Sequence, residues 1–127
     1  MKSENKSILV VDDEALVSRF IVAALADTRY AVTVVGDGEE ALKIIRQVQY
    51  DLLIVDIKMP KMNGMEFYTN LLKTMPEMTH KMIIMTGDVM GSETSDFLDE
   101  TKLPYIMKPF DTTTLHNAIT SLLGKQS

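Results

Sequence analysis

The chain contains no cysteine. That excludes disulfides, thiolate metal sites and a cysteine nucleophile, and it fits a reducing compartment. Long apolar runs are missing too. The first, Ile8, Leu9, Val10 and Val11, is four residues long and follows a polar start over residues 1–7. A signal peptide needs a longer stretch and a spanning helix about 20 apolar residues, so the expectation is a soluble cytoplasmic protein without membrane insertion. Basic residues are scattered and the net charge is −5, which would repel phosphates and argues against direct nucleic-acid binding. No Pro- or Ser-rich linker, internal repeat or low-complexity segment divides the sequence. Its 127 residues suit one domain, 1–127, long enough to bury a core without covalent staples.

What is present is an alternation of two periodicities. Short apolar, β-branched runs occupy 8–11, 31–35, 52–55, 82–85 and 103–107. Between them apolar residues recur at i, i+3, i+4 and i+7: Val17, Phe20, Ile21, Ala24; Ala41, Ile44, Ile45, Val48; Tyr68, Leu71, Leu72, Met75; and Leu115, Ala118, Ile119, Leu122. Each set makes one apolar helix stripe. The segment 92–101 carries only Phe97 and Leu98 among acids and hydroxyls, a more weakly anchored helix. Strand–helix repeated five times, with strands apolar on both faces, predicts an α/β fold with a doubly wound parallel sheet. Ligands of such sheets bind beyond the carboxyl ends of the strands, where the strand order reverses.

Those ends carry chemistry. Asp12 and Asp13 follow the first run, Asp56 the third, Thr86 the fourth and Lys108 the fifth. Three carboxylates crowded together raise one another's pKa unless a cation joins them. Hard oxygen donors suit Mg²⁺, and three acids against a dication and one ammonium sum to near neutrality, which admits an anionic phosphoryl group. Taken alone, Asp12 or Asp13 would serve as an N-cap for a helix starting near Glu14, and Asp56 as a turn residue before Pro60. That plain reading leaves Thr86 and Lys108 at neighbouring strand ends unexplained.

Four blocks in this order, Val10-Val11-Asp12-Asp13-Glu14, Asp56-Ile57-Lys58-Met59-Pro60-Lys61-Met62-Asn63-Gly64, Met85-Thr86-Gly87 and Lys108-Pro109-Phe110, resemble the receiver domain of two-component response regulators. The resemblance runs from Ser7 to about Leu123. It implies a flavodoxin-like (βα)5 fold with strand order 2-1-3-4-5. It implies a signalling domain and not an enzyme in the ordinary sense, one that catalyses only its own phosphorylation and dephosphorylation. Asp56 would be the phosphoacceptor, forming an acyl phosphate. Asp13 would bind Mg²⁺ directly, Asp12 through a metal-bound water, with Asp56 and the backbone carbonyl of Lys58 completing the set. Thr86 and Lys108 would contact the phosphoryl group, and the bond between Lys108 and Pro109 would be cis. Thr86 and Tyr105 would relay the change to a face made by α4, β5 and α5. The donor would be a sensor histidine kinase or a histidine phosphotransfer protein, and the output a downstream effector protein or domain.

The Lys58 side chain is expected to extend into solvent, and Gly87 to leave the pocket open or simply to serve a turn. Thr86, Gly87 and Asp88, with the acidic helix after them, are similar to receivers attached to hybrid kinases. Residues 92–123 hold few basic residues for the charged pairing of dimeric members, so a monomer is expected before phosphorylation. The ten methionines read as core filling. His80 and His116 stand isolated in sequence, His116 one position off its stripe and therefore solvated. Glu39 and Glu40 mark a helix start, and Gly124 a C-cap. Three other readings compete. A pseudo-receiver would keep the fold without phosphorylation, against the complete acid, Thr and Lys set. A haloacid-dehalogenase-like Mg²⁺ phosphatase would place its nucleophile after the first strand as Asp-x-Asp. A flavin binder would need a phosphate loop there, where Asp12, Asp13 and Glu14 would repel phosphate.

Overall fold

The computed structural model describes residues 6–26 and 28–126; the other residues of the polar start, 1–5, lie outside them. Five parallel strands, β1 (Lys6–Val11), β2 (Tyr30–Val35), β3 (Leu52–Asp56), β4 (Met82–Thr86) and β5 (Tyr105–Met107), form one sheet in the order β2-β1-β3-β4-β5. Helices α1 (Ala15–Ala24), α2 (Gly38–Ile45), α3 (Gly64–Thr74), α4 (Ser92–Thr101) and α5 (Thr112–Gln126) connect and cover them. This is the flavodoxin-like arrangement with its order reversal between β1 and β3.

Side chains alternate across the strands and so feed two cores. Leu9, Val11, Leu53, Val55, Met82 and Ile84 pack with Ala41 and Ile45 of α2 and Phe67 and Leu71 of α3. Ile8, Val10, Ile54, Ile83 and Met85 pack on the opposite face with Ile21 of α1 and Leu115 and Ile119 of α5. Local capping fixes where helices begin. Asn63 and Glu66 exchange side-chain-to-backbone hydrogen bonds of 2.9 Å each, a capping box that starts α3. Asp37 accepts from the Glu40 amide at 2.8 Å, and Glu39 and Glu40 lie in the first turn of α2. The α4 helix has no side-chain cap and contributes only the half-buried Phe97 and Leu98 to the core. Phe97 meets Tyr68 edge-on, ring centroids 5.4 Å apart. Among the described residues, no helix is long and apolar enough to cross a membrane.

Several sequence expectations shift. The fifth strand is three residues long rather than 103–107, because Pro104 has no N–H to offer a ladder. A 3-10 helix over Pro76–Lys81 was not anticipated. The α3 stripe is turned by one position: Phe67 is fully buried, whereas Leu72 is half exposed. Val48 falls beyond α2 and is exposed, and Phe20 lies at the surface against Phe110. His116 is not solvated: it is half-buried, with Nε2 3.1 Å from the Ala24 carbonyl oxygen. Gly124 lies inside α5 and does not cap it. Methionine filling holds for Met78, Met82 and Met85, but Met90 is among the most exposed apolar side chains.

Candidate functional site

The sheet ladder itself gathers the acids and the lysine. It runs one hydrogen bond past the strands: the Asp12 amide donates to Val35 O at 3.1 Å, Ile57 to Met85 O at 2.9 Å, and Lys108 to Thr86 O at 2.8 Å. Asp12, Asp56 and Lys108 therefore leave the same edge of the sheet. One carboxylate oxygen from each of Asp12, Asp13 and Asp56 lies within 4.8 Å of the others. Asp12 and Asp56 are buried and Asp13 is exposed. Beside them opens a cleft of about 450 Å³ lined by Asp13, Glu14, Asp56, Lys58, Gly87 and Lys108.

Each buried oxygen has a distinct environment. Asp12 Oδ1 accepts from the Glu14 amide at 2.9 Å, while Asp12 Oδ2 is buried with no hydrogen-bond partner. Asp56 Oδ1 accepts from the Lys58 amide at 3.1 Å, and Oδ2 accepts from Lys108 Nζ at 2.7 Å. Lys108 reaches Glu14 Oε1 at 2.5 Å as well and stands 3.9 Å from Asp12 Oδ2. Burial pushes the Asp12 carboxyl up to about 7; the Glu14 amide opposes this and the neighbouring Asp56 adds to it. For Lys108, burial works to lower the pKa, but hydrogen bonds to Asp56 and Glu14 outweigh it and hold the ammonium above its usual range.

Asp12, Asp13 and Asp56 form the one group of acids or histidines among the described residues that could hold a metal ion. The donor set is all oxygen, which suits a hard divalent cation. The orphaned, buried Asp12 Oδ2 is the strongest sign of fit, since such an oxygen is costly without a cation or donor.

The remaining site residues fall into place unevenly. The bond between Lys108 and Pro109 is cis. Lys58 is exposed at the cleft wall. Thr86 is buried at the end of β4, and its hydroxyl is engaged by its own loop: it donates to Asp88 O at 3.0 Å and accepts from the Asp88 amide at 3.1 Å. Tyr105 is exposed on β5. Gly64 explains itself by close approach. A Cβ there would sit 2.8 Å from Ile57 Cα and 2.9 Å from the Asp56 carbonyl oxygen, so only glycine lets α3 start beneath the end of β3. The contact sequence reading missed is Glu14 on Lys108, residues separated by 94 positions.

A parallel sheet of this order, with acids at its reversal point and a lysine reaching them from the edge strand, is the arrangement of a class of signalling domains, and comparison with known proteins agrees. Residues 8–120 match the response regulator receiver domain, and the chain belongs to that family. It is similar to a probable transcriptional regulator, ycf27, of Cyanophora paradoxa, 35% identical over 98% of this chain and 51% of that protein. It is also similar to the response regulator ArlR of Staphylococcus epidermidis, 35% identical over 94% of this chain and 53% of that protein. The chain thus spans about half the length of these curated relatives. Among solved structures, a CheY-like receiver domain protein from Methanospirillum hungatei superposes with a TM-score of 0.86 at 31% identity, covering 97% of each chain. The receiver domain of the Francisella response regulator 1452 gives 0.83 at 26%, covering 97% of this chain and 100% of that one.

Proposed function

We propose that the chain is a single receiver domain, core about 7–123, in which Asp56 accepts a phosphoryl group from the phosphohistidine of a sensor histidine kinase or histidine phosphotransfer protein. The observation that carries this is the Lys108–Asp56 pair at 2.7 Å, set beside the Asp12, Asp13 and Asp56 cluster. An Asp56 carboxylate oxygen attacks phosphorus. The phosphorus–nitrogen bond of the donor breaks, and the imidazole leaves with the electron pair and is protonated by solvent. An acyl phosphate remains on Asp56. Lys108 is already aimed at this carboxylate and offers its ammonium to a phosphoryl oxygen, so little reorganisation precedes transfer. The carboxylates of Asp12, Asp13 and Asp56 and the carbonyl oxygen of Lys58 would hold Mg²⁺, which supplies positive charge against the phosphoryl oxygens.

The Thr86 hydroxyl, bonded to the Asp88 backbone, turns inward once phosphoryl oxygens offer a stronger acceptor. Exposed Tyr105 takes the space Thr86 gives up, and the lightly anchored α4 shifts with it. That changes the face made by α4, β5 and α5, which a downstream effector reads.

Incubation with Mg²⁺ and acetyl phosphate, followed by intact-mass measurement, tests the reading. A gain of one phosphoryl group that disappears in Asp56→Asn supports it. No gain in the unaltered protein favours a pseudo-receiver.

A further inference from the structure

Glu14 has no part in the reaction as described so far. It sits at the N-cap of α1, yet its side chain makes no capping bond. Instead Glu14 Oε1 lies 2.5 Å from Lys108 Nζ, although the Glu14 side chain is 57% exposed. A charge-assisted contact this short orients a side chain that solvent would otherwise leave free. The Lys108 ammonium has three N–H donors. One meets Asp56 Oδ2, one meets Glu14 Oε1, and Asp12 Oδ2 stands beyond at 3.9 Å. Carboxylates thus surround the ammonium, on the wall of the cleft that a donor must enter.

We propose that Glu14 is a latch on Lys108: before transfer its carboxylate takes the ammonium position that a phosphoryl oxygen takes afterwards, and its charge selects against strongly anionic donors. This rests on Asp56 being the acceptor. Glu14 is a positioning residue, acting through Lys108. With acetyl phosphate, an Asp56 oxygen attacks phosphorus, the bond from phosphorus to the acetate oxygen breaks, and acetate leaves with the electron pair. One of the three remaining phosphoryl oxygens then bonds Lys108 in place of Glu14. Removing the Glu14 charge both frees that bond and lowers repulsion toward the incoming anion.

The test compares Glu14→Gln and Glu14→Asp with the unaltered protein, using acetyl phosphate and phosphoramidate. Phosphoramidate, whose protonated nitrogen takes the electron pair of the broken phosphorus–nitrogen bond and leaves as ammonia, carries less net negative charge. Phosphorylation rates are read by intact mass at low donor concentration with Mg²⁺. Glu14→Gln is expected to raise the rate with acetyl phosphate about threefold to tenfold, and with phosphoramidate by less than about twofold. Glu14→Asp keeps the charge but is one methylene too short to hold Lys108, and should fall between. A purely structural role at the start of α1 would move both donors alike. Equal gains for the two donors overturn the charge selection, and no gain in Glu14→Gln or a Glu14→Asp that matches the unaltered protein overturns the latch, while Asp56 stays the acceptor. An unaltered protein that takes a phosphoryl group from neither donor overturns the Asp56 reading, and the latch with it.

Discussion

Lys108 Nζ lies 2.7 Å from Asp56 Oδ2 and is the only ammonium paired with the buried acids among the described residues. Removing it strands the buried Asp56 carboxylate. Lys108→Ala is expected to destabilise the metal-free protein at neutral pH by about 3 kcal/mol, the low end for breaking a buried pair. Added Mg²⁺ should recover more stability in this variant than in the unaltered protein, because the dication then carries the whole neutralising charge. Urea unfolding with and without Mg²⁺ checks both statements; an Mg²⁺ increment no larger in the variant would contradict the second.

Asp12 gives the site a pH dependence whose sign follows from its raised pKa. The folded state holds this proton up to about 7, the unfolded chain only to 3.8. Folding therefore takes up a proton between those values. The Asp12 contribution to stability is fully present below the lower value and is lost as pH rises through the higher one. In the metal-free protein, Asp12→Asn should be stabilising by roughly 2–4 kcal/mol near pH 8 and close to neutral near pH 4. A Mg²⁺ ion held by this cluster, as proposed, would compete with the same proton, so its affinity should rise with pH through about 7. Calorimetric Mg²⁺ titrations at several pH values would show a flat affinity if the proton were absent.

Gly64→Ala should be costly although the added group is one methyl. The new Cβ meets Ile57 Cα at 2.8 Å and the Asp56 carbonyl oxygen at 2.9 Å, and both are backbone atoms that cannot rotate away. A loss of about 1–3 kcal/mol is expected. The Ile57 and Lys58 segment should shift with it, so Mg²⁺ affinity should fall together with thermal stability. A variant that melts lower yet binds Mg²⁺ as before would separate the loop from the site.

Thr86→Ala should still be phosphorylated, since the Thr86 hydroxyl bonds the Asp88 backbone and none of the acids. Coupling to Tyr105 should weaken. NMR chemical-shift change at Tyr105 and along α4 on phosphorylation is expected to shrink to less than about half of that in the unaltered protein. Undiminished change would mean that the signal bypasses Thr86.

The strands were legible because each apolar run is short and ends in a polar residue: Val11 before Asp12, Val55 before Asp56, Met107 before Lys108. Helix faces were harder to read. In α3 Leu72, the i+4 partner of Tyr68, looked as apolar as Phe67, yet Phe67 is buried and Leu72 half exposed. Contacts across the chain were legible where strand ends align, as for Lys108 on Asp56, and not where a helix or loop residue reaches across. Glu14 on Lys108 and His116 on Ala24 join residues separated by 94 and 92 positions. The orientation of the Thr86 hydroxyl is set by its hydrogen bonds to the Asp88 backbone, not by its place at a strand end.

At β5 the sheet stops after three residues, Tyr105, Ile106 and Met107, preceded by a proline. So brief a border offers too few open amide and carbonyl groups to template another chain. Self-association by edge pairing is thereby suppressed on that flank. Any protein recruited there must recognise the alternating exposed side chains of Tyr105 and Met107 rather than extend the sheet.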